Sequence, residues 1–344
     1  MKRVYAWHRP LMTVAALMVL CTVVCLIGLA VDHRQVTGVD TWVKPLKFSL
    51  SILLYSVTWA WLIAHLPRFR RAASVAGTVV AAALLVEQSL IVGAAAAGTT
   101  SHFTVSSPFA TGVWATMAVS ISVLYVCTFI TTIAVFFLRL PTASLTVAVR
   151  AGAGLALVGM GLAYLMTGPT QAQLADFKGI AGAHTVGLPD GGPGLPLLGW
   201  STVGGDLRIP HFIGMHALQL LPLLAIGLGW LGRRWTPLAD DRTRLRLVWV
   251  ASAAYAATIA VVTFQALGGQ SIVHPGGVYL ASGVTVVVLA VLAAGVVLVV
   301  GARSRAAEGA GTAHPVGGVG SLESASPTGT ADAPDATPRI GAER

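Results

Sequence analysis

Gly205-Asp206-Leu207-Arg208-Ile209-Pro210-His211-Phe212-Ile213-Gly214-Met215-His216-Ala217-Leu218-Gln219 sets an acid, a base, two imidazoles and an amide at the mouth of an apolar run. Polar groups carried into such a run are costly unless they find partners, so the stretch suggests a site rather than packing. His216 and Gln219 share a helix side by their i, i+3 relation. His211 and His216, five apart, point about 140° away from each other and cannot serve one ligand as an i, i+4 pair would. A second group of chemistry-bearing residues lies at Lys44-Pro45-Leu46-Lys47-Phe48, from which Lys47, Ser51, Tyr55 and Thr58 continue as a polar stripe at helical spacing. A third is the acid–amide pair Glu87-Gln88, which counting back from Ala97 puts about 15 Å below the surface, where a carboxylate is either protonated or paired.

The elements that must position these residues are membrane helices. Of the 344 residues 55% are hydrophobic and only 10% charged, with mean hydropathy +0.78, more apolar surface than a soluble domain needs. Eight runs are long enough to span: Leu11–Val31, Pro45–Leu66, Ala72–Ala97, Pro108–Leu138, Leu145–Met166, Pro210–Leu231, Leu245–Leu267 and Gly276–Val300. The fold class expected is therefore all-α, a polytopic transmembrane bundle over 1–301. A Gly- and Pro-rich cap loop over 167–209 lies across the helix ends, and the tail, 302–344, is read as disordered and cytoplasmic.

The net charge of +9 is a matter of topology. Fifteen Lys and Arg residues fall on the side holding the N-terminus, from Lys2 and Arg3 to Arg303 and Arg305. The other side has Arg34, Lys44, Lys47, Lys178 and Arg208. This asymmetry puts both chain ends in the cytoplasm of a multi-pass cell-membrane protein, with the lipid bilayer and not nucleic acid as its surroundings. The first run is too long for a signal core and lacks a small-x-small cleavage site, so it reads as an uncleaved anchor. Cys21, Cys25 and Cys127 lie inside spans and read as packing residues.

On that assignment His33, His102, His211, His216 and His274 collect on the outer side with Asp40, Lys44, Lys47, Asp206 and Arg208. They are expected to line a pocket made by the second, third, fourth, sixth and eighth helices. His102, His216 and His274 would be ligands or acid–base groups, and His211, Asp206 and Gln219 further binding groups. Lys44, Lys47 and Arg208 would hold an anion, and Glu87 with His216 would manage a proton. Three chemistries fit such a set: a haem or other redox cofactor between helices, a zinc or copper site of three histidines and a carboxylate, and a carrier or receptor for a small polar or anionic solute. A structural subunit of a membrane complex is a further alternative. No zinc spacing such as His-Glu-x-x-His is present.

The entries Lys44-Pro45-x-Lys47-Phe48 and Ile209-Pro210-His211-Phe212, with Gly98–His102 against Gly269–His274, hint at two parallel four-helix halves; chance among biased segments is the alternative. Lys44-Pro45-x-Lys47-Phe48, Ser101-His102-Phe103 and Gly205-Asp206-Leu207-Arg208-x-x-His211-Phe212-x-Gly214-x-His216-x-x-Gln219 together resemble a family of bacterial multi-pass membrane proteins of unassigned activity. That resemblance implies membrane location and shared outer residues, and no activity. The eight-span layout is also similar to that of haem A synthase, without its Glu-x-x-His signature or paired loop cysteines.

Overall fold

The computed structural model describes residues 2–311, with side-chain surroundings for 4–304. Eleven α-helices follow in order: α1 (Lys2–Tyr5), α2 (Arg9–Val31), α3 (Val43–His65), α4 (Arg70–Ala96), α5 (Pro108–Val135), α6 (Ala143–Leu162), α7 (Gln171–Ala175), α8 (Arg208–Met215), α9 (Ala217–Leu231), α10 (Asp241–Leu267) and α11 (Gly277–Gly311). Seven are long and apolar enough to cross a bilayer, or eight crossings when α8 and α9 count as one broken span. The chain is a multi-pass, mostly helical membrane protein.

Leu20, Val24 and Ile27 on α2, and Val288, Leu292 and Val296 on α11, are exposed on the bundle and face lipid. The core runs between α2, α3, α4, α5 and α6, where Leu11, Trp59, Ile63, Leu84, Val135 and Val149 are buried together. With lipid as apolar as leucine, close approach has to come from small residues. Gly152 and Gly159 on α6 supply it: the first faces the Ala217–Leu218 backbone, the second that of Gly214 and Met215.

The apolar stretch of α11 has none of its residues buried, whereas α5 packs closely along α4. The fourth helices of the two supposed halves are thus packed differently. The helix also continues to Gly311, through the first ten residues expected as tail. The rest of that tail, 312–344, lies outside the described residues.

Residues 167–207 form the cap. They carry α7, whose Thr170 and Gln173 make a capping box. Whereas β1 (Gln35–Val36) pairs with β2 (Val39–Asp40) in the α2–α3 loop, the cap has β3 (Thr185–Val186), antiparallel to β4 (Gly205–Asp206) with Thr185 opposite Asp206. The cap is stitched to the α4–α5 loop by Val105 N–H donating to Gly179 O at 2.8 Å and Ala181 N–H to Phe103 O at 2.8 Å. Gly205 sits so close to the Ala266 carbonyl that a Cβ there would overlap it, which ties β4 to the end of α10.

Candidate functional site

The first turn of α3 carries Lys44 and Lys47 three residues apart, and Pro45 between them gives up no needed N–H so early in a helix. The Lys44 ammonium lies 2.9 Å from His102 Nδ1, which is also 2.9 Å from Ser101 Oγ. Lys47 donates to Leu198 O of the cap at 2.8 Å. Among the described residues neither ammonium lies within 4.0 Å of a carboxylate. Each lysine spends one donor and keeps two.

Arg208 is the third cation, and its charge is paired. Its guanidinium grips Asp206 through Nε at 2.9 Å and Nη2 at 2.6 Å, and Nη2 also reaches Gly199 O. Asp206, 1% exposed, accepts in addition from the Ser201 and Arg208 amides. The pair is therefore a clamp that closes the cap onto the start of α8. Arg208 also repels Lys44 and Lys47 electrostatically, so the three cations share one region.

Two residues in the cap join this region that the pattern of the chain did not single out. Asp190 Oδ2 is 2.6 Å from His184 Nδ1, and its carboxylate accepts from the His184 and Thr185 amides and from Thr185 Oγ1. His184 packs on Phe103, whose ring also meets Trp114, and Trp114 meets His102. Both histidines feel Lys44. Their partners are loop residues six apart or in separate loops, spacings that carry no helical or strand signal.

Burial and the neighbouring Lys44 charge hold the His102 imidazole well below the usual histidine range. Burial also lowers His184, outweighing the opposite pull of Asp190. Burial alone would raise Asp190, but the His184 ring and the surrounding amides hold its carboxyl well below the usual range. A histidine lowered on folding binds its proton first in the unfolded chain, so its stabilising contribution is complete above the unfolded value of about 6.5 and fades as pH falls. Asp190 contributes above about 4 and is lost only below that. Cap protection, read by limited proteolysis or hydrogen exchange over 167–207, is therefore expected to weaken from pH 7 to pH 5 through His102 and His184. His102→Asn should flatten that slope; a profile level from pH 7 to 5 in the parent protein contradicts it.

Deeper in the bundle, the sixth span breaks at His216, with α8 and α9 inclined by 44°. The break is held from outside: Tyr255 of α10 donates to Ile213 O at 2.6 Å, satisfying a carbonyl that the interrupted helix leaves free. His211 Nδ1 binds Gly159 O at 2.8 Å. His216 and Gln219 instead border a small cavity with Ser51, Tyr55 and Thr128, one turn beyond Lys47 on α3. Phe212 stacks edge-on with His216 and with Trp200 of the cap, between the cation group and the cavity.

The structure thus gathers Lys44, Lys47, His102, Asp206 and Arg208, and places His211, His216 and Gln219 beneath them. Glu87 on α4 is buried, leaves Oε1 without a partner, and attracts Lys44 electrostatically. His33 and His274 are exposed and make none of these contacts, and Asp40 is held by Gln35 at 3.2 Å in a hairpin. A metal centre finds no support, since no group of three His, Cys, Asp or Glu residues has ligand geometry among the described residues. Haem does not fit either. The cavity at His216, about 20 Å³, is far below the roughly 300 Å³ of a cofactor pocket. No protein-family model matches the chain, and neither curated proteins nor solved structures provide a match.

Proposed function

We propose that this membrane protein binds a small anionic solute at the cap end, between Lys44 and Lys47 on α3 and the overlying loop. The single observation that carries it is a pair of neighbouring ammonium groups, each with donors to spare and no carboxylate in ion-pairing range. Arg208 is neutralised by Asp206, while Asp190 and Glu87 attract Lys44, and Asp206 attracts Lys47, only from beyond ion-pairing distance. Charges tucked under a loop without a counter-charge in contact are expensive unless a ligand completes them. The positive end of α3 adds to the field. The charge asymmetry of the loops puts this end outside the cell, so the solute is captured there.

Thermal melting of the protein in nanodiscs, titrated with phosphate, sulfate and succinate, tests the proposal. At least one anion is expected to raise the melting temperature in a salt-sensitive way. Lys44→Gln with Lys47→Gln should weaken that binding by tenfold or more, about 1.4 kcal/mol. No stabilisation by any of the three, or stabilisation that survives both substitutions, refutes it. A carrier is the second reading, favoured by the broken span at His216. Broken spans with polar linings mark substrate paths in transporters. Anion uptake into proteoliposomes separates carrier from receptor.

A further inference from the structure

The geometry points to a single water molecule bound inside the membrane at the break of the sixth span, held between His216 Nε2 and Gln219 Oε1. It stands apart from the anion site and does not depend on it. Both atoms are buried and make no hydrogen bond of good geometry within the protein, although the two side chains lie close enough to interact with each other. Both residues border the same cavity, which also touches Ser51, Tyr55, Thr128 and Leu218. Orphaned polar atoms in a membrane interior are among the costliest arrangements a fold can keep, so two of them around one void call for an occupant.

Size and chemistry select the occupant. The cavity offers about 20 Å³ to the centre of a water-sized sphere. One water needs about 10–15 Å³ on that measure and two to four polar partners. The cavity therefore admits one water and excludes a second. Gln219 Oε1 can only accept, so the water donates to it. His216 Nε2 either donates to the water or accepts from it, according to the ring tautomer.

Further partners are at hand. The Thr128 hydroxyl already donates to Leu124 O, so Tyr55 donates to Thr128 and keeps a lone pair facing the group. Pro222 has no N–H to give to the Leu218 carbonyl, which lacks its regular helical bond. Apolar filling was open to the chain: Met160 and Met215 both border the void and are flexible enough to close it, yet leave it open.

The test is a structure of the full chain in nanodiscs at a resolution that shows ordered water, for the parent and for Gln219→Met. Density is expected in the parent within hydrogen-bonding distance of both His216 Nε2 and Gln219 Oε1, and absent from the variant. An empty cavity, a direct His216–Gln219 hydrogen bond, or density that persists unchanged in Gln219→Met overturns the proposal. Should Gln219→Met fail to fold, the parent map alone decides between a bridging water and an empty or collapsed void.

Discussion

Gly159→Ala is expected to destabilise the protein by about 3 kcal/mol or more, beyond the usual range for one added methyl in a core. A Cβ at 159 would stand 2.5 Å from Gly214 Cα and closer still to the Gly214 carbonyl carbon and the Met215 nitrogen. Those are backbone atoms, so no side-chain rotamer relieves the overlap. Nor can the backbone swing away, because His211 is bonded to Gly159 O and Tyr255 to Ile213 O on either side of the contact. A Cβ on Gly152, two turns earlier, would stand 2.9 Å from the Ala217 carbonyl oxygen and Leu218 Cα, so this glycine closes the same seam from below the break. The reciprocal change, Gly214→Ala, meets Gly159 Cα at 2.5 Å and should behave alike. Gly154→Ala on the same helix is the control. Its nearest neighbour would be Phe136 Cζ at 4.0 Å, and removing a helical glycine there should be neutral or stabilise by up to about 1 kcal/mol. Melting curves and size-exclusion profiles in detergent read all three; a Gly159→Ala protein that melts with the parent would show that the seam is not tight.

The spans were legible in the sequence because bilayer thickness turns composition into length. The break at His216 was not. Pro222 is the conspicuous helix breaker of that run, yet it lies inside α9, while the bend falls six residues earlier at a histidine. What ends α8 is tertiary: Tyr255 from α10 takes the Ile213 carbonyl, and a glycine of α6 lets the bent backbone settle. Local propensity cannot register either partner.

Lys44, Lys47, His102, Asp206 and Arg208 were legible as a group since topology alone puts them on one side, and Asp206 and Arg208 are two residues apart. The same reasoning misplaced His274. Sidedness brings a residue to the correct face of the membrane, but only the fold of the loop decides whether it turns inward, and His274 stays exposed. His184 and Asp190 show the converse. They are aligned by a turn at Gly187, with φ +79°, and by the pairing of Thr185 with Asp206 across β3 and β4. Neither feature has a periodic signature.

That pairing makes Asp206 the residue on which the cap most depends, and Asp206→Ala is expected to cost about 3–5 kcal/mol. The carboxylate lies at the junction of three elements, receiving Arg208 at the start of α8, the Ser201 amide of the cap, and a place in β4 opposite Thr185. Removing it strands the Arg208 guanidinium beside Lys44 and Lys47 with no counter-charge, so attraction is replaced by repulsion. The exposed pair Asp176–Lys178 provides the contrast. Its nitrogen–oxygen distance, 2.8 Å, is about the same, yet its side chains are 70% and 78% exposed, and solvent screens such pairs to little net worth. Asp176→Ala should therefore leave the melting temperature nearly unchanged while Asp206→Ala lowers it sharply and opens residues 167–207 to protease. Arg208→Met in the Asp206→Ala background separates charge from packing: it removes the stranded cation and should recover part of the loss. Equal effects of Asp176→Ala and Asp206→Ala, or no recovery in the double variant, would mean that the clamp holds the cap by shape rather than by charge.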